Sequence, residues 1–270
     1  MFWEKITVDE FAAAREKCGG VCVIPLGCLE KHGNHMPLGT DIIRARGVAE
    51  RAAEIEDVMI FPYLPFGIVS EVKHKLGTIA LSSKLQFRML EELCDEIARN
   101  GFTKILFLDA HGGNWNFIRY FSQSRHEHPC NYTVFFYQLS RLLPEERKAF
   151  LDYHGEPIVV SGHADLIETS TVMALEPDTI KMDQLELNGF PLGRMDEYGE
   201  LGAYCGISSW YASFPNQMAG EPSKASADRG EFLLKYFVKH AAEVFKKLKE
   251  TDLPNELQEE FYAKCDNPQV

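Results

Sequence analysis

The chain has 270 residues, 45% of them hydrophobic, and a formal net charge of −12, which suits one large α/β domain and, with no Lys/Arg run, argues against nucleic acid or an anionic membrane as partner. The charged start, MFWEKITVDEF, lacks the apolar segment of a signal peptide, and no apolar run reaches the roughly 20 residues of a membrane span. Cys18, Cys22, Cys28, Cys94, Cys130, Cys205 and Cys265 are odd in number and form no CxxC, which predicts reduced thiols in a cytoplasmic protein rather than a disulfide framework.

From the N-terminus, Thr7 and Glu10 predict a capping box for a helix to about Lys17. Val21 to Leu26 is the first strand. Asp41 is expected to cap a helix to about Ile55, with Ile43, Val48 and Ala52 on its apolar face. Val58 to Leu64 is the second strand, ended by Pro62 and Pro65. Residues 67–77 are a loop, 78–81 a short extended piece, and Ser82 or Ser83 caps a helix that Gly101 stops. Lys104 to Asp109, KILFLD, is a continuous apolar run that fits a parallel strand buried on both faces, and a helix follows to about His126.

Tyr132 to Leu139 is a further strand, Pro144 to Asp152 a short helix opened by proline, and Ile158 to Ser161 a strand candidate. GHADLIETSTVMAL is helical until Pro177. Residues 178–222 are glycine-rich with little periodicity and read as loops around a site. Residues 225–249 form an amphipathic helix whose basic end, KKLKE, suits its negative pole. The last twenty residues read as a polar tail or an arm on a neighbouring subunit. The repeated strand–helix alternation predicts a parallel sheet covered by helices in a single domain spanning 1–270.

The stretch IPLGCLEKHGNHMPLGTD, 24–41, places Glu30, His32, His35 and Asp41 within twelve positions at the end of the first strand. Strand ends are where α/β folds keep their sites. Carboxylate and neutral imidazole are ligands for Zn, Mn and Fe(II), and an extended Glu30–His32 pair would point both side chains to one side. The same pattern also fits a polar loop with surface histidines, Asp41 serving only as a helix cap. Asp109, His111 and Asn114 follow the KILFLD strand, with Gly112 and Gly113 allowing close backbone approach. His163 and Glu168 are five apart, so they share a pocket only if His163 precedes the helix; a solvated helix face is the alternative. Trp210 to Pro222 suits either a substrate lid or the cover of a core edge. GxSxG, HExxH and GxGxxG are all missing, which removes several rival chemistries.

Together these pieces resemble the creatininase (creatinine amidohydrolase) family in four blocks: PLGCLEKHGNHMPLGTD at 25–41, the strand with HGGN at 105–114, GHADLIETS at 162–170 and GEPSKASADRG at 220–230. The resemblance implies a three-layer α/β/α sandwich around a mainly parallel sheet, a metal centre of one or two divalent ions (Zn, Mn or Fe), and a homo-oligomer, often a hexamer. It implies metal ligands at Glu30, His32, Asp41, His111 and Glu168, with Asp41 bridging. His35 and His163 match positions near the metals, and His163 is the expected proton shuttle, with a hydrogen bond to a ligand carboxylate as its alternative role. Asp109 is expected to orient a ligand, with Asn114 and Trp210 as further supporting or substrate-binding residues. The implied activity is hydrolysis of a C–N bond in a small cyclic amide or formamide, by hydroxide held between the ions. A peptidase trimming a peptide terminus and a metal-binding protein without turnover are the alternatives. Two departures weaken creatinine as the substrate: Gly113 and Gly162 stand where creatininase proper has acidic residues.

Overall fold

The structure is a computed structural model that describes residues 1–139, 142–158, 162–187, 191–203, 206–266 and 268, without the side chains of 207–209. Four parallel strands, β1 (Val21–Leu26), β2 (Met59–Ile60), β3 (Lys104–Asp109) and β4 (Thr133–Gln138), form a sheet in the order β2-β1-β3-β4. Side chains alternate across it, as the pleat requires. Val21, Val23, Leu106 and Leu108 pack on one face with α2 (Thr40–Ala53) and α9 (Ala227–Lys249). Cys22, Ile24, Ile105 and Phe107 pack on the other with α1 (Val8–Lys17), α3 (Ser83–Arg99) and α4 (Trp115–Ser124). Burial of β1 and β3 on both faces is why their sequences run continuously apolar. The expected α/β/α sandwich is present.

The second strand is shorter than Val58 to Leu64. Pro62 has no N–H for the ladder, so regular pairing stops at Ile60, although Phe61 N still donates to Val23 O and Leu64 N to Pro25 O. Within the last twenty residues, 253–266 are helical rather than a loose tail. Residues 253–266 form α10 (Leu253–Asp266), whose Gln258 donates to the carbonyls of Cys130 and Tyr132 and whose Tyr262 hydroxyl donates to those of Arg125 and His128. Residues 178–222 contain two short helices, α7 (Asp196–Glu200) and α8 (Gly206–Ser213), where loops were expected. The expected strand at Ile158 to Ser161 lies outside the described residues beyond Ile158, as does Cys205. The remaining helices, α5 (Pro144–His154) and α6 (Leu166–Leu175), lie at or near their expected positions.

Helices α6 and α9 pack tightly at Gly230, where an added Cβ would overlap the backbone carbonyl of Ser170. The obstacle is backbone rather than a movable side chain. Gly230→Ala is therefore expected to cost about 3 kcal/mol, the upper end of ordinary overpacking, read as a shift in denaturant midpoint. An unchanged midpoint would mean that the two helices separate freely.

The register pairs Leu26 with Asp109, so the chain leaves β1 and β3 at the same sheet edge. An isolated bridge from Leu26 to Leu64 brings the segment after β2 to that edge as well. Three loops thus converge at the carboxyl ends of parallel strands, where such folds hold ligands.

Candidate metal centre

Glu30 and His32 come from the loop after β1, Asp41 from the first turn of α2, His111 from the loop after β3, and Glu168 from the first turn of α6. All five are buried. Asp41 does not cap its helix. The cap position is Gly39, with no side-chain bond, and the carboxylate turns inward instead. One Asp41 oxygen, Oδ2, lies 3.2 Å from His111 Nδ1; the other, Oδ1, lies 3.4 Å from His32 Nε2. Glu30 Oε1 lies 2.9 Å from His111 Nδ1, and Glu168 Oε2 lies 3.7 Å from His32 Nε2. Among the described residues the donors fall into three overlapping groups: Glu30, Asp41 and His111 with Cys28 beside them, His32–Asp41–Glu168, and Glu30–His32–His163; the first two share Asp41.

His163 belongs to the third group, with Glu30 and His32. It precedes α6, which Asp165 caps through the Ile167 and Glu168 amides, and its backbone exchanges two hydrogen bonds with Ala219. Its ring stacks on His32 at 4.0 Å, and its Nε2 is 3.2 Å from Glu30 Oε1.

The tautomers follow from the outer nitrogens. His111 Nε2 is 2.8 Å from Ile68 O, His163 Nδ1 is 3.0 Å from Gln217 O, and His32 Nδ1 is 3.3 Å from Glu30 O. A carbonyl only accepts, so each outer nitrogen carries the proton and donates. The three inner nitrogens then present lone pairs to carboxylate oxygens. That arrangement is repulsive unless something positive lies between them, either added protons or metal cations. His32 Nε2 makes no hydrogen bond among the described residues, so the donor set fits divalent ions.

The electrostatics agree. Burial would raise the Asp41 and Glu30 pKa values, but His32 beside Asp41, and His111 and His163 beside Glu30, hold both carboxyls below the ordinary range. Burial would lower His163, yet Glu30 lifts it to about 9. Burial likewise opposes His111, but Cys28 and Glu30 hold it well above the usual histidine value. The carboxylates stay ionised and draw positive charge toward themselves.

The other expected residues take supporting places. Asp109 Oδ1 accepts from the His111 amide and from Asn114 Nδ2, and burial raises the Asp109 carboxyl to about 7. Asn114 also accepts from the Ile68 amide, tying the loop that holds His111. His35 is outside all three donor groups. Burial depresses it to about 4, and its Nε2 meets the Thr169 hydroxyl at 3.0 Å. Trp210 covers His163 edge-on at 5.4 Å and donates to Gln217 Oε1.

Two important residues escaped the reading of the sequence. Arg44, fully buried, holds Glu168 Oε1 at 2.7 Å, while the Ala164 amide holds Oε2. Its spacing of three from Asp41, on one face of α2, was an available signal. Gln217, with φ +56, turns its carbonyl toward both His163 and the Gly33 amide; nothing in the sequence marks it.

Fold and site define a parallel α/β/α protein with a buried carboxylate–imidazole centre. The family model described as creatinine amidohydrolase matches residues 4–245, so the chain belongs to the creatininase family. Among curated relatives, the creatinine amidohydrolase of Pseudomonas putida is 27% identical over 68% of this chain and 75% of its own. The mycofactocin precursor peptide peptidase of Mycolicibacterium smegmatis is 24% identical over 83% of this chain and 84% of its own. The 3-dehydro-scyllo-inosose hydrolase of Thermotoga maritima is 22% identical over 94% of this chain and 86% of its own. A solved creatininase variant of the Zn-Zn type shares the fold with a TM-score of 0.73 at 20% identity, covering 91% of this chain and 97% of that one.

Proposed function

We propose that the chain is a metal-dependent amidohydrolase that cleaves a C–N bond in a small cyclic amide or formamide. The observation that carries this reading is the set of three imidazoles, each anchored by its outer nitrogen to a backbone carbonyl, whose inner nitrogens face three carboxylates with Asp41 common to both halves. Glu30, Asp41 and His111 would hold one divalent ion, and His32, Asp41 and Glu168 a second, of zinc, manganese or iron. Bound there, such ions supply a Lewis acid for the carbonyl and lower the pKa of water to about 7.

The protein's own residues do the rest. His163 is the proton carrier. Gln217 O fixes its ring, and its Nε2, 3.2 Å from Glu30 Oε1, takes up a proton and passes it to the leaving nitrogen. Trp210 shields that transfer from solvent. His163→Ala is expected to lower kcat by about 10²–10⁴-fold while metal content stays unchanged. Loss of metal in that variant would make His163 a ligand instead.

Creatinine is not favoured. A side chain at position 113 would overlap Ile68 O and His111, and one at 162 would overlap Ala219 O and Asp165. The acidic groups of creatininase proper have no room at either place. The coverage shared with the Mycolicibacterium peptidase supports a second reading, removal of a terminal residue from a peptide. Elemental analysis of purified protein, paired with a hydrolysis screen of cyclic amides, formamides and short peptides, separates these. Metal with turnover of a cyclic amide or formamide supports the proposal. Turnover of peptides alone supports the second reading, and bound metal without any turnover leaves a binding protein.

A further inference from the structure

We propose that Cys28 is a sulfur ligand of the ion held by Glu30, Asp41 and His111, and that it biases that compartment toward zinc over manganese. This inference rests on the metal centre proposed above. Cys28 lies in the loop after β1, two residues before Glu30, and is fully buried. Its Sγ is 3.3 Å from Asp41 Oδ2, the oxygen that also faces His111. Ligand atoms of Cys28, Glu30, Asp41 and His111 all lie within 4.8 Å of one another. Cys28 also packs with Val69 and Val72 in a small apolar cluster, so the residue contacts apolar side chains as well as the donors.

The thiol is not isolated from ligand-seeking groups. Asp41 links it to the second compartment, where the buried His32 Nε2 has no hydrogen-bond partner among the described residues. Together the four residues give one sulfur, one nitrogen and two oxygen donors. Four donors of that kind match zinc, whereas a set of oxygens and imidazole accepts manganese equally well. Among the described residues, sulfur is the only soft donor in any of the three groups. On coordination the thiol proton leaves to solvent and the bond from Sγ to Asp41 is replaced by one to the ion.

The test uses the full chain, stripped with a chelator and loaded anaerobically with cobalt(II). Wild type is expected to show a near-ultraviolet sulfur-to-cobalt charge-transfer band that Cys28→Ser lacks while still binding cobalt. In zinc–manganese competition, the preference of Cys28→Ser is expected to move toward manganese by on the order of 10–100-fold, the scale on which ligand surroundings act. Cobalt bound without a charge-transfer band in wild type would overturn the sulfur ligand and leave the metal centre standing. No cobalt bound by wild type would overturn both.

Discussion

Asp41→Ala is expected to lower metal affinity by more than about 100-fold, because even groups that merely touch a ligand cost 10–100-fold when changed. Hydrolysis is expected to fall with it. The reason is that Asp41 presents one oxygen to His111 and the other to His32, so its removal opens both donor groups at once. Folding stability should change much less than metal binding, since Asp41 makes no cap bond in α2. Elemental analysis and a melting curve on the same preparation check the two statements together. Wild-type metal content and turnover in Asp41→Ala would refute the site.

Arg44→Met is expected to destabilise the metal-stripped protein by about 3–5 kcal/mol, the cost of leaving a buried carboxylate without its partner. Arg44 Nη1 holds Glu168 at 2.7 Å and Nε reaches the Thr171 hydroxyl, all within the protein interior. In the metal-loaded protein the loss should be smaller, because a cation beside Glu168 takes over part of the neutralisation. Denaturant midpoints with and without metal give the comparison. Equal losses in both states would place Glu168 away from the ion.

The two strands that lead into the centre were readable because both faces of each are covered. A strand buried on one side alternates; VCVIPL and KILFLD do not. The loops after them carry their donors close together in sequence, so Glu30, His32 and His111 stood out. Glu168 did not stand out in the same way. Its helix is apolar on most sides, and only the structure shows that His163 precedes α6 and that Asp165 begins it. Asp41 illustrates the opposite error. An acidic residue at a helix start reads as a cap, but here the glycine two places earlier ends the loop and frees the carboxylate for the interior.

What stayed hidden depends on backbone atoms or on distant partners. The carbonyls of Ile68 and Gln217 set the histidine tautomers, and no side-chain pattern announces a carbonyl. Helix α10 was misread because Leu253, Leu257 and Phe261 remain largely exposed, while Gln258 and Tyr262 hold it by hydrogen bonds to residues 125–132. Polar attachment of that kind leaves no hydrophobic period to read.

Anomalous diffraction from crystals of the metal-loaded protein is the most direct test of the centre. Two peaks are predicted, one among Glu30, Asp41 and His111 and one among His32, Asp41 and Glu168. Peaks only at the surface, or none near Asp41, would contradict it.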